Sequence, residues 1–104
     1  MMTAESIQGV GHVRVSAEMS MYTVIEDRAL LQETLLLSKE IEIDLSEVTD
    51  IDSAGLQLLI QAKREGARIG VPVRLLGHSP AVQEIIDLYR LAPEFGDPML
   101  MARR

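Results

Sequence analysis

The run Ile41-Glu-Ile-Asp-Leu-Ser-Glu-Val48, followed by Thr49-Asp-Ile-Asp-Ser-Ala-Gly-Leu56, decides how this chain is read. Ile41, Ile43 and Leu45 alternate with Glu42 and Asp44, which is the period-two pattern of a strand with one buried face. Ser46 to Asp52 is polar and reads as a loop, and a helix is expected from Ala54 to about Arg68. Its opening is apolar nearly all round (Leu56, Leu58, Leu59, Ile60), its end is basic (Lys63, Arg64, Arg68), and Gly66 and Gly70 bracket the stop. A strand that turns into a helix at its carboxyl end is where α/β proteins usually place a site.

Working outward, Val13, Val15 and Ala17 alternate with His12, Arg14 and Ser16, so Val10 to Ala17 is predicted as a strand, with Ile7 and Val10 adding a short antiparallel edge. From Thr23 to about Ser38 the period changes. Val24, Ile25, Ala29, Leu31, Leu35 and Leu36 are assigned to one wide helical face, with Glu26, Asp27, Glu33 and Thr34 opposite, and Thr23 with Glu26 has capping-box spacing. Val71 to Leu76 reads as a third alternating strand. Ser79-Pro80 then caps a last helix carrying Val82, Ile85, Ile86 and Tyr89 on its inner face, and Ala92 to Arg104 reads as irregular. Strand and helix alternate, so the strands should be parallel and joined by right-handed crossovers. Because the strands alternate in polarity, one sheet face should stay in water. The expected fold class is therefore α/β, a small, mixed, mostly parallel sheet with helices mainly on one face.

Composition bounds the function. At 104 residues the chain has the size of one domain, able to bury roughly 65% of its unfolded surface. The absence of cysteine excludes thiolate chemistry and disulfides and fits a reducing cytoplasm. No basic leader followed by an apolar run is visible near Met1, and no apolar run approaches membrane-spanning length, so neither secretion nor membrane insertion is expected. The net charge is -6, and the acidic residues Glu40, Glu42, Asp44, Glu47, Asp50 and Asp52 lie close together in sequence with no basic residue between them. Without clustered Lys and Arg, and with only Tyr22, Tyr89 and Phe95 as aromatics, nucleic acid is not an expected partner.

Ser53 falls at the N-cap or first turn of the second helix, where unpaired N–H groups and the positive dipole end favour an anion such as a phosphate. Gly55 would let another backbone or a bound group come close. A serine here is most commonly a plain cap, with Asp52 an alternative cap.

The same residues, with His78-Ser-Pro-Ala-Val82 further on, resemble the STAS domain of bacterial anti-sigma factor antagonists over essentially the whole chain. That resemblance implies a STAS-like fold without cofactor or metal. It also implies a partner switch in which the unphosphorylated domain binds a serine kinase or anti-sigma-type regulator, a kinase phosphorylates the serine matching Ser53, and a phosphatase reverses the modification. Partner contacts would then fall on Asp50, Asp52, Ser53, Ala54, Gly55, Ser20 and Met21, and Thr23 matches the threonine that starts the first helix. One departure stands out. Where the family reads L-x-G-x-L-D, this chain has Val15-Ser-Ala-Glu-Met-Ser20, with Ala17 for the glycine and Ser20 for the aspartate. The alternative within the same resemblance is a constitutive STAS subunit of a lipid-transport ABC complex.

Enzymatic readings are weaker. Asp44, Glu47, Asp50 and Asp52 suggest a magnesium site of the receiver kind, but no lysine follows the third strand to complete one. A hydrolase needs a base beside its nucleophile, and His12, expected on the solvent face of a strand, and His78, expected in a turn, are poorly placed for that. Met19 and Met21 are read either as a soft contact surface or as packing at the entrance of the first helix.

Overall fold

The computed structural model describes residues 1–89. Strand β1 (Met2–Ile7) pairs antiparallel with β2 (Val10–Met19) across a tight turn at Gln8 and Gly9. Helix α1 (Val24–Leu37), strand β3 (Glu40–Ile51), helix α2 (Ser53–Ile69), strand β4 (Val73–Leu76) and helix α3 (Pro80–Leu88) follow. The sheet order is β1-β2-β3-β4, with β2, β3 and β4 parallel, so the chain builds its sheet in one direction as the alternating strands imply.

Val13, Val15, Ile41, Ile43, Leu45, Val73 and Leu75 point to the helix-covered face and join Leu31, Leu35, Leu56, Leu59, Val82 and Ile86 in one core. The opposite face carries His12, Arg14, Glu42, Asp44 and Arg74 in water. There Arg74 bridges Glu40 at 3.0 Å and Glu42 at 3.2 Å, while His12 Nδ1 lies 3.4 Å from Glu42. Much of the acidic charge that looks concentrated in sequence is thus matched across neighbouring strands. No helix of the described residues is long and apolar enough to cross a membrane.

Several sequence expectations change. Ser46 to Asp52 is largely not a loop: β3 continues to Ile51 because β2 runs on to Met19 and offers backbone partners, from Ser16 beside Glu47 to Met19 beside Ile51. Register shifts between Arg14 and Ser16 and between Ala17 and Glu18 accommodate the bend, and Val48 anchors it in the core. The inner face of α1 is Asp27, Leu31, Thr34 and Leu35, whereas Ile25, Ala29 and Leu36, assigned inward by their polarity, are exposed. Thr23 makes no side-chain cap, so the capping box is not formed. The helix instead starts from a turn in which Ser20 O accepts from the N–H groups of Thr23 and Val24. Strand β4 begins at Val73 rather than Val71, since Val71 N donates to Gly66 O and Pro72 has no N–H to give. Tyr89 ends α3 as an exposed residue rather than an inner one. The expectation for Ala92 to Arg104 lies outside the described residues.

Candidate functional site

Asp52 is the centre of the site. It ends β3 in an extended conformation and is the N-cap of α2: its Oδ1 accepts from Ala54 N at 2.9 Å and Gly55 N at 3.1 Å. Its other oxygen, Oδ2, accepts from Met21 N at 3.0 Å, in the turn that leads into α1. One carboxylate therefore joins the starts of two helices. These N–H groups hold the Asp52 carboxyl below its ordinary range, with Met21 contributing most and Gly55 and Ala54 next, against the opposing effect of desolvation.

Gly55 is required at this junction for a steric reason. A Cβ there would sit 2.4 Å from the carbonyl oxygen of Met19 and 2.8 Å from its Cβ, so α2 starts directly on the end of β2. The close approach anticipated for glycine is thus to the chain's own backbone, and Gly55 is buried. Met19, fully buried, forms part of that floor.

The turn before α1 is tied in turn to β2. Ser20 Oγ donates to Glu18 and accepts from Tyr22 N at 3.1 Å, while Ser20 N donates to Thr23 Oγ1 at 3.0 Å. Ser20 at the family's aspartate position thus brings Glu18 to the site, a carboxylate that sequence reasoning did not single out. Ala17, at the family's glycine position, has φ of 65° and keeps the left-handed backbone that glycine would adopt freely. The departure from the motif was legible in sequence; that the backbone bend would persist without glycine was not.

Of the residues expected to contact a partner, the structure brings Ser20, Met21, Asp52, Ser53 and Ala54 to one edge, with Gly55 beneath them. Asp50 is exposed on β3, paired in register with Glu18. Ser53 is exposed and is the first residue of α2, not its cap. This changes the anion reading of the helix end: the N–H groups of Ala54 and Gly55 are already taken by Asp52.

Among the described residues, no group of His, Asp and Glu is arranged to hold a metal ion. Asp44 Oδ1 accepts from Ser46 N at 2.9 Å on the bare sheet face, away from the Asp52 junction. His12 lines a shallow depression of about 540 Å³ on that same face with Glu5, Arg14, Glu42 and Asp44, and His78 is buried just before the Ser79 cap of α3.

The STAS domain family model matches residues 1–102. Curated protein sequences give no match. Among solved structures, the anti-sigma factor antagonist SpoIIAA in its unphosphorylated form superposes with a TM-score of 0.78 at 21% identity, over 94% of this chain and 88% of that one. The phosphorylated form of SpoIIAA, from Bacillus, gives 0.73 at 20% identity, over 94% and 91%. An anti-sigma factor antagonist from Mycobacterium paratuberculosis gives 0.76 at 28% identity, over 93% and 83%. A sulfate transporter family protein from Wolinella succinogenes gives 0.73 at 16% identity, over 86% and 74%.

Proposed function

The chain belongs to the STAS domain family, and on that premise we propose that it is a phosphorylation-controlled protein-binding module of the anti-sigma factor antagonist kind. In this reading it acts in the cytoplasm by binding, without catalytic turnover, cofactor or metal. The unmodified edge formed by Ser20, Met21, Asp50, Asp52, Ser53 and Ala54 docks a serine kinase or anti-sigma-type regulator, and phosphate on Ser53 releases it. The observation that carries this reading is the capping of α2 by Asp52. With that task done by its neighbour, Ser53 stands exposed as the first residue of the helix and can be modified without dismantling the helix start.

A phosphate adds roughly -1.5 to -2 charge beside Asp52 and Asp50. Because two of the helix-end N–H groups, those of Ala54 and Gly55, are already engaged, much of that charge faces an incoming partner, and repulsion and desolvation both oppose contact. The expected loss of affinity is at least tenfold, reaching about a hundredfold, where each factor of ten is about 1.4 kcal/mol.

The test is a titration of wild type, Ser53→Ala and Ser53→Asp against the partner recovered by pull-down, with thermal melts on all three. Ser53→Asp should bind at least tenfold more weakly than the other two while melting alike. Equal affinities would remove the switch. They would favour the second reading, a constitutive STAS subunit of a lipid-transport ABC complex.

A further inference from the structure

Helix α1 is apolar on two faces. Asp27, Leu31, Thr34 and Leu35 are buried against the rest of the chain. On the far side Ile25 and Leu36 are 77% and 80% exposed, with Ala29 and Gln32 between them and Tyr22, 85% exposed, just before the helix. At 3.6 residues per turn, positions 25, 29, 32 and 36 fall on one stripe of the helix, with Tyr22 in the turn before it, and their separations of four, three and four are the a/d spacing of a two-stranded coiled coil. An exposed apolar stripe of this kind marks a contact surface, because a lone soluble domain gains nothing by presenting it to water.

The flanking charges say what covers it. With Ala29 and Leu36 at a and with Ile25 and Gln32 at d, Arg28 takes position g and Glu33 takes position e, and both are exposed. In a parallel pair of identical helices, each g residue faces the e residue five positions further along the partner. Arg28 of each copy then meets Glu33 of the other, twice by symmetry. An antiparallel pair would set g against g and e against e, placing arginine on arginine and glutamate on glutamate. Gln32, the polar seam residue, lies opposite its own counterpart only in the parallel register, where the two amides can hydrogen-bond.

We propose that the outer face of α1 is a homodimer interface, with a second copy of this chain packed parallel along the Ile25, Ala29, Gln32 and Leu36 stripe. The assignment is independent of the reading of Ser53. The crossovers run α1 and α2 in the same direction, so a parallel two-fold pair would present both Ser53 edges at the same end of the dimer. A helix of 14 residues gives a seam only about 21 Å long. The dimer should therefore be weak, with a dissociation constant on the order of 10–100 μM.

Sedimentation velocity on the full chain, from about 5 μM to about 1 mM, should show wild type moving from monomer to dimer. Ile25→Glu with Leu36→Glu should remain monomeric at the highest concentration with an unchanged melting curve, because both sites are solvent-exposed. Arg28→Glu alone and Glu33→Arg alone should each weaken the dimer about tenfold, and an equimolar mixture of the two should form a heterodimer of wild-type strength. Wild type that stays monomeric throughout overturns the proposal and leaves the stripe to a different protein. A dimer that survives Ile25→Glu with Leu36→Glu, or charge variants that fail to rescue one another when mixed, overturns it as well.

Discussion

Ser53 and Ser79 both stand at helix starts after a strand, and the structure gives them different work. Ser79 is the N-cap of α3: it is buried, and its hydroxyl accepts from Val82 N at 3.2 Å, with Pro80 next to it in the first turn. Ser53 sits one place later relative to its own helix, exposed, after an aspartate that already accepts from two first-turn N–H groups. A serine at a helix start is structural when it is the cap and chemically disposable when a neighbour caps for it. At α2 the fixed parts are Asp52 and Gly55. At α3 the fixed part is the serine itself.

The largest effect is expected at Gly55. Gly55→Ala places a methyl group 2.4 Å from Met19 O, a contact that only a backbone shift can relieve. The expected loss is about 3 kcal/mol in urea unfolding, and a loss below about 1 kcal/mol would mean that α2 does not rest on β2 as described. Next come the two serines. Ser79→Ala should cost about 1–2 kcal/mol, the usual effect of deleting a buried cap, and Ser53→Ala less than about 0.5 kcal/mol. Equal losses in matched chemical melts would erase the distinction between them.

Asp52→Asn sharpens the same point through pH. The folded carboxyl titrates below its ordinary value of about 3.9, so its stabilisation is complete above that pH and is lost as pH falls through the folded value. The variant should lose about 1 kcal/mol at neutral pH and become indistinguishable from wild type in strong acid. Asp27 runs the other way. Burial raises its carboxyl, a contact with Thr23 offsets this only in part, and its Oδ2 has no hydrogen-bond partner among the described residues. Its penalty is full above the folded value and disappears as pH falls below the unfolded one, so Asp27→Asn should raise the melting temperature by a few degrees at neutral pH and by nothing in strong acid.

The smallest effect is expected at Ala17, which lies in the strand end that carries the α2 junction. Relieving its positive φ with Ala17→Gly should stabilise by about 0.5–1 kcal/mol, less the extra freedom glycine gives the unfolded chain. A destabilised variant would show that Ala17 holds this backbone without strain.

Some of these features were plain in the residues. Alternation in Val13 to Val15, Ile41 to Leu45 and Val73 to Leu75 was enough to give strands with one wet face, because side-chain direction in a strand has a strict period of two, and the strand-helix order made them parallel. Ala17, counted inward with Val13 and Val15, is exposed instead, because the register shifts around it break the alternation. The Ser79-Pro80 cap and the stop near Gly70 were legible because they depend only on neighbours in the chain. The inner face of α1 was not. Polarity counted Ile25, Ala29 and Leu36 inward and Asp27 and Thr34 outward, and the reverse holds. A helix with apolar residues on two sides has no internal signal for which side meets the sheet.

The order of elements, their direction and the position of a serine at the start of α2 follow from local periodicity and local capping chemistry, and the residues alone carry them. Long-range packing sets the rest: Ser46 to Ile51 is strand, Gly55 is reserved for Met19, and Asp52 rather than Ser53 closes the helix end while holding Met21 in the turn before α1. Gly55 is fixed by space, since a side chain there would meet Met19 O, and the other two by hydrogen bonding. Backbone N–H and C=O groups must find partners wherever the fold removes water, and those partners came from a strand end and a turn roughly thirty residues away in sequence.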